Sequence, residues 1–138
     1  KGGFTLVEVL VVSIILVVLL GGMLSLFFYC YSLNERSREY TMAIGEAQNK
    51  LEEVKALRVI SPGRFDLKHL EGKGVIYVDN SNPDLVKIKI VICWQGKRDR
   101  RTIGEDKNLN GILDAGEDLN SNLELDSPIM FTTYLARK

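Results

Sequence analysis

Histidine, cysteine, proline and tryptophan are all scarce in this chain, with one His, two Cys, three Pro and one Trp among 138 residues. Two cysteines cannot build a disulfide framework. Cys30, in an apolar segment, and Cys93, in a strand-like run, read as small buried hydrophobes. The single histidine, His69, sits between Lys68 and Leu70 with no Cys or second His near it. No zinc cluster, Ser-His-Asp set or glycine-rich phosphate loop appears in the sequence, so the chain reads as non-enzymatic. An excess of either charge is also lacking. Eighteen basic residues balance 18 acidic ones, which excludes the broad basic field of a nucleic-acid binder, and no nucleic-acid partner is expected. The basic run Lys97-Arg98-Asp99-Arg100-Arg101 is answered by an acidic stretch from Glu105 to Asp126 and reads as a solvated turn. The length leaves room for one small domain.

What is present is concentrated at the N-terminus. From Phe4 to Tyr31 the only formal charge is Glu8. Val9 to Tyr31 is a little longer than the ~20 apolar residues a helix needs to cross a bilayer. A core helix of a small soluble protein would carry a polar face, and a cleaved secretory signal would be shorter and end in a small-x-small site. Membrane insertion follows. Glu8 lies just inside the apolar run, where an acidic side chain is costly, so it calls for a partner.

The string Lys1-Gly2-Gly3-Phe4-Thr5-Leu6-Val7-Glu8-Val9 closely resembles the class III signal of type IV prepilins and of the pseudopilins of type II secretion. The resemblance implies cleavage between Gly3 and Phe4 by a prepilin peptidase that also N-methylates the new Phe4 amine. It also implies an assembly role for Glu8, which meets the N-terminal amine of a neighbouring subunit. A carboxylate and an ammonium, each costly alone in lipid, would stabilise each other and fix the axial register of two helices. The implied partners are other pilin or pseudopilin subunits, the peptidase/N-methyltransferase and the inner (cytoplasmic) membrane, crossed once with the headgroup outside the cytoplasm. Lys1 in place of Met implies that part of a basic leader lies upstream. Arg36 and Arg38 run against the positive-inside rule, so the orientation rests on the resemblance.

Helical periodicity continues past the membrane run. Tyr40, Ile44, Ala47, Leu51, Val54 and Leu57 recur at spacings of three and four, until Ser61-Pro62-Gly63 stops the pattern. One helix from Thr5 to Arg58 is expected, with Gly21-Gly22 marking either close helix packing or a local melt. Beyond it lie strands. Gly74 to Asp79 is a short β-rich run ended by the turn Asn80-Ser81-Asn82-Pro83. Leu85 to Trp94 alternates, with Val86, Ile88, Ile90, Ile92 and Trp94 on one face and Lys87 and Lys89 on the other, so one covered side is expected. Arg98 to Ile103 is expected to pair back through Gln95-Gly96-Lys97, and Ile129 to Ala136 to form a last strand with Ile129, Phe131, Thr133 and Leu135 on one side. The predicted class is α+β, a pilin fold. Residues 1–3 end the leader, 4–33 form the transmembrane and filament-core helix, and 34–60 its amphipathic second half. Residues 61–138 make a β-sheet headgroup carrying a loop at 105–126. The stretch from Val86 through Trp94, with Phe131 to Ala136, is similar to the end of small minor pseudopilins and of the pilus modification protein V group.

Within the acidic stretch, Asp106, Asn108, Asn110, Gly111 and Glu117 match the D-x-[DN]-x-[DN]-G-x5-E calcium-loop pattern at every specified position. Alternate side chains aim oxygens at one centre, and Gly111 permits the sharp turn. Ile112 would offer its carbonyl, Asp114 a direct or water-mediated contact and Glu117 both carboxylate oxygens. One calcium ion is expected. No helix evidently precedes Asp106, so an EF-hand proper is not expected. Asp118, Asn120, Asn122, Glu124 and Asp126 form a partial second copy without the glycine or the closing Glu; Ile129 stands at the position equivalent to Glu117. This copy reads as extra ligands to the same ion, as a second ion site or as a plain acidic turn. The functional expectation is a minor pilin or pseudopilin in a type IV pilus-like or type II secretion filament. The alternative is a membrane-tethered calcium-dependent binding module.

Overall fold

A computed structural model describes residues 3, 5–57 and 61–136. The chain divides into two compact units, Lys1–Ser37 and Arg38–Lys138. The boundary therefore falls a few residues later than the end of the apolar run. A single helix, α1 (Leu6–Leu57, 52 residues), runs through both, and the expected terminus at Arg58 lies outside the described residues.

In the first unit the helix is apolar all round and its large side chains are exposed. Three of its serine hydroxyls bond back to the helix backbone. Ser13 Oγ donates to the Val9 carbonyl at 2.8 Å, Ser25 Oγ to Gly21 at 3.0 Å and Ser32 Oγ to Tyr29 at 2.8 Å. Each of these three serine hydroxyls is thus satisfied within the helix, as a hydrocarbon environment favours. The helix continues through Gly21-Gly22 without a break, and a Cβ at either position would meet nothing within 4 Å. Cys30 is exposed here rather than buried.

In the second unit the helix buries Glu39, Ala43, Ala47 and Val54, with Tyr40, Met42 and Leu51 packed beside them. The buried stripe is rotated slightly from the predicted one, since Ile44 and Leu57 are exposed. The small Ala43 and Ala47 form its centre because they let the helix approach the sheet closely.

The sheet comprises β1 (Gly63–Asp66), β2 (Gly72–Asp79), β3 (Leu85–Gln95), β4 (Thr102–Ile103) and β5 (Met130–Ala136), all pairs antiparallel. Strand β3 is central. It pairs with β2 along one edge and with β5 and then β4 along the other. Its alternation produces the core as predicted, with Val86, Ile88, Ile90, Ile92 and Trp94 packed against the helix. Trp94 meets Tyr40 edge-on, with ring centroids 5.1 Å apart. The opposite face departs from expectation. Val91 and Cys93 are buried there with Val75 and Leu125, and Leu109 and Leu113 pack over them. Lys87 and Lys89 mark only the first half of β3 as one-sided. The short β1 had no signal in the sequence. It exists because Gly74 lies under the Phe65 ring, where a Cβ would fall within 2.1 Å of the ring.

Two helix carboxylates tie loops to this core. Glu39, buried, accepts the Lys97 N–H at 2.9 Å, and Glu46 accepts the Lys68 and His69 N–H groups at 2.8 Å each.

Removing core volume from the buried face of β3 should be expensive. Ile90→Ala is expected to cost about 2–5 kcal/mol and Lys87→Ala less than about 0.5 kcal/mol, measured by denaturant unfolding. Equal losses would mean that the two faces of β3 are not packed as described.

Candidate functional site

Two regions carry chemistry. At the N-terminus, Gly3 is exposed and precedes the helix. Phe4 lies outside the described residues. Thr5 caps the helix, its Oγ1 accepting the Glu8 N–H at 3.3 Å, and the exposed Glu8 sits in the first turn. A carboxylate there is favoured by the unpaired N–H groups and the positive end of the helix dipole. Thr5 and Glu8 have the spacing of a capping box.

The second region is the segment from Glu105 to Ser127, between β4 and β5. Asp106 is fully buried. Its Oδ1 accepts the Asn110 N–H at 3.1 Å and its Oδ2 the Gly111 N–H at 2.7 Å. Asn108 Oδ1 accepts the Asn110 N–H at 3.1 Å, and Asn110 Oδ1 accepts the Ile112 N–H at 2.6 Å. The Nδ2 groups of Asn108 and Asn110 both donate to Asp114 Oδ2, at 2.7 and 2.8 Å. These bonds, Asn108's foremost, hold the Asp114 carboxyl below its usual range. Glu117 is 5% exposed; its two oxygens accept the Lys107 N–H at 2.8 Å and the Asp114 N–H at 3.1 Å. All six predicted positions, Ile112 included, are thus gathered in one turn-rich loop. Leu109 (φ 56°) and Gly111 (φ 73°) take the left-handed conformation that the sharp turns need.

Asp118, Asn120, Asn122 and Asp126 form a second loop with the same hydrogen-bond scheme. Asp118 accepts the Asn122 and Leu123 N–H groups at 3.1 and 3.0 Å, and Asn120 accepts the Asn122 N–H at 3.1 Å. Asn122 Oδ1 accepts the Glu124 N–H at 2.8 Å, so Glu124 matches Ile112. Asn120 and Asn122 donate to Asp126 Oδ2 at 2.6 and 2.7 Å. Lys89, from β3, reaches this loop at 2.9 Å from both Glu124 Oε2 and Asp126 Oδ1. That ammonium, more than the Asn120 and Asn122 amides, lowers the Asp126 pKa against the opposing effect of burial. Burial works to lower the Lys89 pKa, but the Asp126 and Glu124 hydrogen bonds outweigh it and the value rises. Underneath, Leu125 N–H donates to Tyr77 Oη at 2.8 Å, and burial pushes the Cys93 thiol up to about 11.

Among the described residues, no three His, Cys, Asp or Glu side chains gather at one point as a ready-made metal cluster. A cation at the first loop would depend equally on amide and carbonyl oxygens, the donor set that hard cations take. His69 stays apart from this region, its Nδ1 3.2 Å from Glu46 Oε1. Glu105 was not singled out by the sequence pattern, because a search for the loop begins at its first Asp.

The N-terminal region matches a known family model, the prokaryotic N-terminal methylation motif, over residues 1–24. No curated protein and no solved structure matches the chain. The motif, together with one helix long and apolar enough to cross a membrane, is consistent with a type IV pilin-like protein. It implies processing by a prepilin peptidase and assembly with other pilin subunits, and it points to a structural subunit rather than an enzyme. A membrane-anchored, single-pass pilin fits both observations.

The second loop turns at Leu123, 83% exposed and at φ 63°, where the first has Gly111. A left-handed non-glycine residue costs about 1–2 kcal/mol, part of which glycine gives back in the unfolded chain. Leu123→Gly is therefore expected to stabilise the protein by about 0.5–1 kcal/mol, and Gly111→Ala to destabilise it. Thermal unfolding of both variants checks this; a destabilised Leu123→Gly would show that its side chain matters more than its backbone.

Proposed function

We propose that this chain is a minor pilin or pseudopilin, a structural subunit of a type IV pilus-like or type II secretion filament assembled from the inner membrane. The observation that carries the reading is the methylation motif at residues 1–24, continued by a helix whose apolar side chains are uncovered and three of whose serine hydroxyls are internally satisfied. In this reading the peptidase cuts between Gly3 and Phe4, and the Phe4 amine is methylated. In the filament the Glu8 carboxylate pairs with a neighbour's N-terminal amine. Burying the apolar helix among its copies drives assembly, and the Glu8 pair sets the stagger. The open space around Gly21 and Gly22 suits close approach of another helix.

The headgroup loop 106–117 is read as a calcium site. Three features of the residues present fit a hard cation. The donors are oxygens, the spacing meets the loop pattern, and Asp106 and Glu117 are buried carboxylates without a cationic partner among the described residues. Asp106, Asn108, Asn110, the Ile112 carbonyl, Asp114 and Glu117 would hold the ion. Bound there, calcium would supply the positive charge that orders the loop over β3, coupling headgroup folding to a metal.

Co-expression with a prepilin peptidase, followed by mass spectrometry of the N-terminus, is expected to give a chain starting at methylated Phe4. Glu8→Ala is expected to be cut but depleted from sheared filaments. An uncut chain would overturn the filament reading, and undiminished incorporation of Glu8→Ala would remove the ion pair from it. For the calcium loop, chelation in a Cys30→Ser background is expected to speed maleimide labelling of Cys93, which lies beneath Leu125. Labelling indifferent to chelator would count against the ion.

A further inference from the structure

The acidic segment is a tandem repeat of twelve residues that starts one position before the loop pattern. Glu105-Asp106-x-Asn108-x-Asn110-x-x-x-Asp114 is followed at once by Glu117-Asp118-x-Asn120-x-Asn122-x-x-x-Asp126. The leading Glu of the second repeat is the residue that closes the first loop. Because the second repeat ends at Pro128 and Ile129, it has no Glu after it. Its closing position is nevertheless filled, by the leading Glu of the first repeat.

The correspondence holds contact by contact. Glu117 accepts from the N–H groups of Lys107 and Asp114, the second and ninth residues of the first loop, and donates its own N–H to the Asp114 carbonyl at 3.1 Å. Glu105 accepts from Leu119 at 3.2 Å and Asp126 at 3.0 Å, the second and ninth residues of the second loop, and donates its N–H to the Asp126 carbonyl at 2.9 Å. The left-handed residues repeat as well, Leu109 and Gly111 in one loop, Ser121 and Leu123 in the other.

A separate observation concerns charge. Glu105 (8% exposed), Asp106 (0%) and Glu117 (5%) are three carboxylates withdrawn from water. Among the described residues no Lys or Arg forms an ion pair with any of them. Lys89, which reaches the second loop, is spent on Glu124 and Asp126, and Lys107, within the first loop, gives its ammonium to the Gly116 carbonyl. Backbone N–H groups alone leave each of these withdrawn carboxylates costly, a cost that a cation bound among a loop's oxygens would offset.

We propose that the headgroup binds two calcium-like divalent cations and that the two sites exchange their closing carboxylates, Glu117 completing residues 106–114 and Glu105 completing residues 118–126. The proposal rests on the calcium reading of the first loop and adds to it a second ion and a ligand, Glu105, from outside the loop it serves. Either twelve-residue repeat alone would lack its closing carboxylate, so the two form a single unit. The second site takes Asp118, Asn120, Asn122, the Glu124 carbonyl, Asp126 and Glu105, with Lys89 on its rim.

Calcium titration of the full chain in detergent micelles, by calorimetry and by native mass spectrometry, tests this. Two ions are expected for the unaltered protein, one for Glu105→Gln, one for Glu117→Gln and none for the double variant. A partner one step removed from a metal already changes affinity about 10- to 100-fold. The fold-preserving Glu105→Asp should therefore weaken one site by at least about tenfold and leave the other unchanged. If Glu105→Gln does not fold, that variant decides. Two ions retained in Glu105→Gln, or no loss of affinity in Glu105→Asp, would overturn the exchange. One ion in the unaltered protein, lost with Glu117→Gln but kept in Glu105→Gln, would also overturn it while leaving the single calcium loop intact. No calcium at all would sink both readings.

Discussion

The headgroup depends on β3 being apolar on both faces where it matters. From Val86 to Trp94 one set of alternate side chains faces the helix, while Val91 and Cys93 face the acidic loop. The strand is hydrogen-bonded along both edges, to β2 on one side and to β5 and β4 on the other. A strand in this position has no solvent-facing surface left over its second half. Everything else must be arranged to cover it, which is why a segment with few apolar residues contributes Leu109, Leu113 and Leu125 to a core.

The two units of the chain solve opposite solvation problems. Among the described residues of Lys1–Ser37 the large apolar side chains are uncovered, and Ser13, Ser25 and Ser32 bond back to their own helix. Such a surface is at ease in hydrocarbon or against copies of itself. In Arg38–Lys138 the helix instead carries the buried Glu39 and the half-buried Glu46, whose acceptors are used by loop N–H groups. The same helix thus changes its chemistry along its length as its surroundings change.

Much of this was legible in the sequence. The apolar run, the motif around Glu8, the alternation through β3 and the spacing of Asp106, Asn108, Asn110 and Glu117 are short-range patterns, and the structure gathers each as its period requires. What was hidden involves partners distant along the chain. Glu39 meets Lys97 across 58 positions, and nothing local distinguishes it from the half-buried Glu35. The helix face was misjudged by a fraction of a turn because Ile44 is more hydrophobic than Ala43, whereas close packing rewards the smaller residue. Cover on the Lys87 side of β3 was missed because it comes from leucines embedded in an acidic tract. Glu105 was passed over for a different reason: its role follows from the second loop and not from its own.

The acidic segment is also joined at its neck. The Glu105 N–H meets the Asp126 carbonyl at 2.9 Å, and Ser127 Oγ is hydrogen-bonded to the Ile92 carbonyl just beyond. Chain entry and exit are therefore held side by side at the edge of β3, whatever lies between them. A segment pinned in this way closes on itself at the sheet, so the order of its interior is decoupled from the pairing of β3 with the strands that flank it.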